Sequence, residues 1–150
     1  MTSQIRREPT RRNADCRRAR TMSVQRADEL SYPSLPNDLR TMMKALVVNQ
    51  FGALDALAVE ERPAPVPGTG EVLVDVRAAG VNFPDLLMIG GKYQTLPPLP
   101  FILGKECAGV VTAVGSCVTL VKPGDRVMVQ IEYGAFAQQV VAKQINCQAI

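Results

Sequence analysis

Glu71-Val72-Leu73-Val74-Asp75-Val76-Arg77-Ala78 is the stretch that decides the fold class. Val72, Val74 and Val76 fall on one side, while Glu71, Asp75 and Arg77 sit among the alternate positions. Successive side chains of a strand point to opposite faces, so this period of two marks a half-buried β-strand. Outward from it the chain reads as further short apolar runs cut by turns. Upstream, residues 45–48 and 57–61 are strand candidates, the second ended by Pro63, Pro65 and Pro67. Downstream, residues 85–89 are expected to form one short helical turn stopped by Gly90-Gly91, followed by a loop with Pro97, Pro98 and Pro100. Residues 108–114 form a nearly continuous apolar strand closed by Gly115. Lys122-Pro123-Gly124-Asp125 fits a type II turn, with Pro fixing one φ and Gly accepting the positive one. Residues 126–131 and 136–142 read as strands around a tight connection at Gly134. Short strands at this spacing predict a mainly β, barrel-like domain.

Composition narrows the function classes. The chain has 150 residues, 47% of them apolar, which suits a globular domain with a real core. Trp is absent and aromatics are 5%, so the core rests on aliphatic side chains. No apolar run approaches the roughly 18 residues needed to cross a bilayer. Net charge is +3, but residues 1–42 hold nine of the 17 Lys+Arg and five of the 14 Asp+Glu. The remainder is therefore near neutral and offers no polycationic surface for nucleic acid. There is no histidine, which removes Ser/His and Cys/His catalytic pairs and every His-containing zinc site. Cys16, Cys107, Cys117 and Cys147 lack CxxC spacing and follow no secretory signal, which favours free thiols in a reducing, cytoplasmic setting. Cys107 and Cys117, in or beside an apolar run, read as small core residues.

Residues 1–42 read as a disordered basic extension ahead of a domain at 43–150. They combine three Arg-Arg pairs with Pro9, Pro33 and Pro36 and show no sustained apolar period. A mitochondrial presequence is the functional reading, but five acidic residues and the prolines argue against it. An overextended leader, with Met42 or Met43 as an internal start, is favoured. Pattern alone names no reaction.

Four stretches together carry a family signature: residues 70–85, Gly91-Lys92-Tyr93-Gln94, residues 99–111, and Lys122-Pro123-Gly124-Asp125-Arg126-Val127. In this order the chain resembles the N-terminal, GroES-like domain of medium-chain dehydrogenases/reductases. The branch it resembles is the zinc-free NAD(P)H:quinone oxidoreductases related to zeta-crystallin. The resemblance covers about 43–150 and implies a partly open β-barrel with short helical turns, forming one wall of a cleft. A Rossmann domain forms the other wall in that family and binds NADPH, which passes hydride to a quinone or enone.

What the resemblance implies for individual residues follows from their positions. Zinc-dependent relatives place Cys where Gly80-Val81-Asn82-Phe83-Pro84-Asp85 has Asn82, and His where Lys105 precedes Glu106. Neither Asn nor a cationic Lys replaces those ligands, so no zinc is expected. The zinc lobe with its clustered cysteines has no counterpart between Val129 and Gly134. The resemblance makes Asn82, Tyr93 and Asp85 the catalytic candidates and Asn82, Phe83 and Tyr93 the cofactor-side candidates. An Asn amide both donates and accepts, which suits an acceptor oxygen gaining charge. Asp85 has a structural alternative as a cap for the short helix. Glu106 is expected to organise local hydrogen bonds or to pair with Lys105. Leu103 departs from a proline common in the branch, and Gln138 from a Glu.

Gly68-Thr69-Gly70 opens a strand with no helix after it, so it is a turn and no dinucleotide fingerprint. Without the Rossmann half the 150-residue chain is expected to be inactive alone. The alternatives are a non-catalytic GroES-like binding module, associating through the surface a second domain would cover, or a truncated gene fragment.

Overall fold

The computed structural model describes residues 41–52 and 54–150. The expected extension therefore lies outside the described residues as far as residue 40. Thr41 and Met42 join the fold: the first strand opens at Met42, and the Ala64 N–H donates to the Thr41 carbonyl at 2.8 Å.

Among the described residues, eight strands and one α-helix follow in order. They are β1 (Met42–Val48), β2 (Leu57–Pro63), β3 (Glu71–Gly80), α1 (Phe83–Ile89), β4 (Phe101–Ile102), β5 (Glu106–Val114), β6 (Arg126–Gln130), β7 (Gln139–Lys143) and β8 (Cys147–Ala149). Single turns of 3-10 helix precede β2 and β8. All strand pairs are antiparallel. They form a three-stranded sheet in the order β2-β1-β4 and a five-stranded sheet in the order β7-β3-β5-β6-β8. The result is the expected mainly β, partly open fold, built from two sheets that do not close into a barrel.

The alternation read in β3 positions its core face. Val72 and Val74 are fully buried, and Val76 packs against the same cluster with Cys107, Val111, Val127 and Val129. Each such aliphatic side chain contributes about 1.5–3 kcal/mol on burial. A second cluster gathers Val48, Met88, Ile89, Phe101 and Leu103, so α1 covers the face of β1 carrying Leu46 and Val48.

Residues 135–138 join the two sheets. The Phe136 carbonyl accepts from Leu46 N–H at 2.8 Å, and the Phe136 N–H donates to the Leu103 carbonyl at 2.8 Å. Gln138 accepts from Lys44 N–H through Oε1 at 2.8 Å, while its carbonyl accepts from Val76 N–H at 2.9 Å. The Phe136 ring packs against both clusters. This is why the strand expected from residue 136 begins only at Gln139. The preceding residues spend their backbone groups on β1 and on the chain before β5. The turn at 122–125 forms as expected, with Gly124 at φ 92° and Asp125 N–H on the Lys122 carbonyl at 3.1 Å.

Candidate active site

The site is built where β3 ends and α1 begins. Pro84 lies in the first turn of α1, where a missing N–H costs nothing, and the helix runs from Phe83, earlier than the sequence pattern indicated. Asn82 stands just ahead of it in extended backbone, φ −124° and ψ 158°. Its N–H donates to Asp85 Oδ2 at 2.8 Å, and the Asp85 N–H donates to the Asn82 carbonyl at 3.0 Å. Asp85 is 1% exposed, and its Oδ1 is buried with no hydrogen-bond partner. Asp85 thus fixes the backbone that carries Asn82, as a carboxylate three residues into a helix does in a capping box.

The Asn82 side chain is held from the other side by Glu106, whose Oε1 accepts from Nδ2 at 3.0 Å. Glu106 opposes Gly80 in the β3–β5 register. A Cβ at residue 80 would run into the Glu106 carboxylate, so the glycine makes room for the group that orients Asn82. Glu106 therefore organises a local hydrogen bond, and its partner is Asn82.

Lys105 turns to Glu132 instead. Its Nζ lies 2.9 Å from Glu132 Oε2 and 3.1 Å from the Glu132 carbonyl. It also stands 4.7 Å above the centre of the Tyr93 ring, within cation–π range. The Lys105 side chain is 17% exposed and that of Glu132 76%. Burial opposes the Lys105 charge, but the hydrogen bond and charge of Glu132, with Tyr93, outweigh it and raise the ammonium above its ordinary value. Glu132 carried no signal in the sequence, because only the fold brings residues 105 and 132 together.

The chain next to Asn82 exposes apolar side chains. Val81, Phe83 and Leu86 are 77%, 70% and 50% exposed, so Phe83 faces solvent beside Asn82. Cys107 behaves as the small core residue expected: it is buried, and burial, with a lesser contribution from Cys147, pushes its thiol up to about 11. A cavity of about 460 Å³ lies elsewhere, among β1, β2, β4 and β7, and neither Asn82, Tyr93, Lys105 nor Glu106 lines it. Among the described residues no group of three His, Cys, Asp or Glu is placed to hold a metal, and no helix is long and apolar enough to cross a membrane.

Residues 68–149 match the alcohol dehydrogenase GroES-like domain family. The chain belongs to that family. The human synaptic vesicle membrane protein VAT-1 homolog is 42% identical to this GroES-like chain over 107 residues, 70% of the chain and 27% of that protein. The crystal structure of the human VAT-1 homolog-like protein superposes with a TM-score of 0.72 at 35% identity, covering 73% of this chain and 36% of that one. Escherichia coli quinone oxidoreductase complexed with NADPH gives a TM-score of 0.68 at 31% identity, covering 71% and 33%. The GroES-like chain thus corresponds to the N-terminal portion of quinone-oxidoreductase-type medium-chain dehydrogenases/reductases, and spans between 27% and 36% of these proteins' lengths.

Proposed function

We propose that this chain supplies the acceptor-side wall of an NADPH-dependent, zinc-independent quinone or enone reductase. The observation that carries the reading is the doubly held Asn82. Its backbone is fixed by Asp85 and its amide by Glu106. Donors fixed in advance stabilise charge developing on an acceptor oxygen without reorganisation during reaction. Tyr93 lines the acceptor ring, and Phe83 offers an apolar face to the nicotinamide. Asp85 acts through Asn82 as a positioning residue.

Only the nicotinamide end of the dinucleotide is assigned to this chain in the proposal. Gly68-Thr69-Gly70 opens β3, and the Gly68 N–H is already taken by Glu71 Oε2 at 2.9 Å, so it is no cradle for phosphates. Bound dihydronicotinamide would supply the hydride, and the chain's own residues hold the acceptor and its growing charge. A zinc ion is unsupported, since Asn82 and Lys105 occupy the positions its ligands would need. The 150-residue chain alone is then inactive. Val81, Phe83 and Leu86 form the surface through which it meets a second domain or associates with another protein. Thiols at Cys107 and Cys147 fit a reducing, cytoplasmic setting.

The test is direct. Purified chain with NADPH and benzoquinone gives no turnover. Joined to the cofactor domain of the E. coli quinone oxidoreductase, it oxidises NADPH with quinone, and Asn82→Ala lowers kcat/KM by roughly 100-fold. Turnover by the isolated chain, or an active fusion indifferent to Asn82→Ala, refutes the proposal.

A further inference from the structure

We propose that Lys105 is the seat of an aromatic anion, and that Glu132 is a tethered carboxylate occupying that seat until the ligand's anionic oxygen displaces it. The two partners of the ion pair are held very unequally. The lysine side chain is 17% exposed, fixed over Tyr93 and bonded to the Glu132 backbone carbonyl. The glutamate side chain is 76% exposed and, among its described contacts, held only by the lysine. An ion pair with so exposed a partner is worth about fivefold or less in an equilibrium constant. A ligand carboxylate or phenolate can replace it while keeping the charge on Lys105 balanced. The ligand's ring would lie against Tyr93, which gives the exchange a gain the glutamate does not have.

The ligand class follows: planar, aromatic, and anionic at one edge oxygen, as is the monoanion that hydride addition to a quinone leaves before a proton is taken up. The inference deepens the reductase reading and rests on it only for the identity of the natural ligand. Lys105 then touches the ligand itself, in addition to the Asn82 amide.

The experiment uses the full 150-residue chain without NADPH, the naphthoate anion as probe and its neutral amide as control. Binding is followed by backbone amide NMR shifts at Tyr93, Lys105 and Glu132. Glu132→Gln is expected to tighten naphthoate about two- to fivefold. Lys105→Met is expected to weaken it at least about fivefold, with the neutral amide moving less than about twofold in either variant. The inference is overturned if naphthoate binds neither wild type nor Glu132→Gln, or if Glu132→Gln leaves its affinity unchanged. Equal responses of the two ligands overturn it as well. Because Glu132 is a solvent-facing side chain, its variant keeps the test decisive even if the change at Lys105 disturbs packing. Naphthoate binding stands or falls separately from quinone turnover, so failure here is distinguishable from failure of the reductase reading.

Discussion

Gly104 is the most informative single position for the link between fold and site. It has φ 98°, and a Cβ there would overlap the Phe136 ring and its backbone nitrogen. Gly104→Ala therefore combines two costs. An L-residue in left-handed backbone is strained by about 1–2 kcal/mol. Forcing Phe136 aside adds the roughly 1–3 kcal/mol typical of overpacking. The total of about 2–5 kcal/mol is a large share of a domain stability of about 5–15. With a slope of about 1.5 kcal/mol per M of urea, the unfolding midpoint falls by roughly 1.5–3 M. Gly124 separates the two causes. Its φ is 92°, yet nothing lies within 4 Å of a Cβ placed there. Gly124→Ala should show the strain alone and shift the midpoint by only about 1 M. Equilibrium urea unfolding, followed by far-ultraviolet circular dichroism, measures both. Equal shifts in the two variants would show that Phe136 yields freely and that residues 135–138 are no rigid link.

Three further outcomes are expected. Asp85→Ala should lower stability by about 1–2 kcal/mol through loss of the bond to the Asn82 N–H, read as a lower thermal midpoint; an unchanged midpoint would remove Asp85 from its positioning role. Lys105 has a raised folded-state value, so its stabilising contribution is fully present below the ordinary lysine value of 10.5 and is lost as pH rises through the raised one. The stability gap between wild type and Lys105→Met should accordingly hold at neutral pH and close only in strong alkali; a gap that closes below pH 9 contradicts the clamp. With its thiol near 11, Cys107 should be about 0.1% thiolate at pH 8 and resist alkylation until urea unfolds the chain, which mass spectrometry of the labelled peptide will report.

The sequence carried the fold wherever local physics decides it. The valine alternation of β3 and the Pro-Gly turn at 122–125 rest on side-chain period and on φ preferences, and both are where they were expected. What it lacked was non-local. β4 and β8, with two and three residues, are too short to show a period, and exist only because β1 and β6 offer them an edge. Residues 136–138 have strand-like composition but hydrogen-bond across to another sheet. The same division runs through the site. Asp85 was expected as a cap at the start of the helix; it lies one turn further in and accepts from the Asn82 N–H ahead of the helix. The partners of Lys105 and Glu106 come from residues 132 and 82: of the two expectations for Glu106, the hydrogen-bonding one formed and the pairing with Lys105 did not.

The placement of Glu132 also bears on how the fold tolerates change in length. The run from β6 to Gly134 ends just before residues 135–138, whose bonds to both sheets leave no slack. Extra residues are therefore accommodated on the near side of Gly134, where the backbone is already leaving the sheet. Lengthening there would carry Glu132 away from Lys105 and uncover the ammonium. Any protein of this architecture that grows an excursion at that corner must find another counter-charge, or change what residue 105 is.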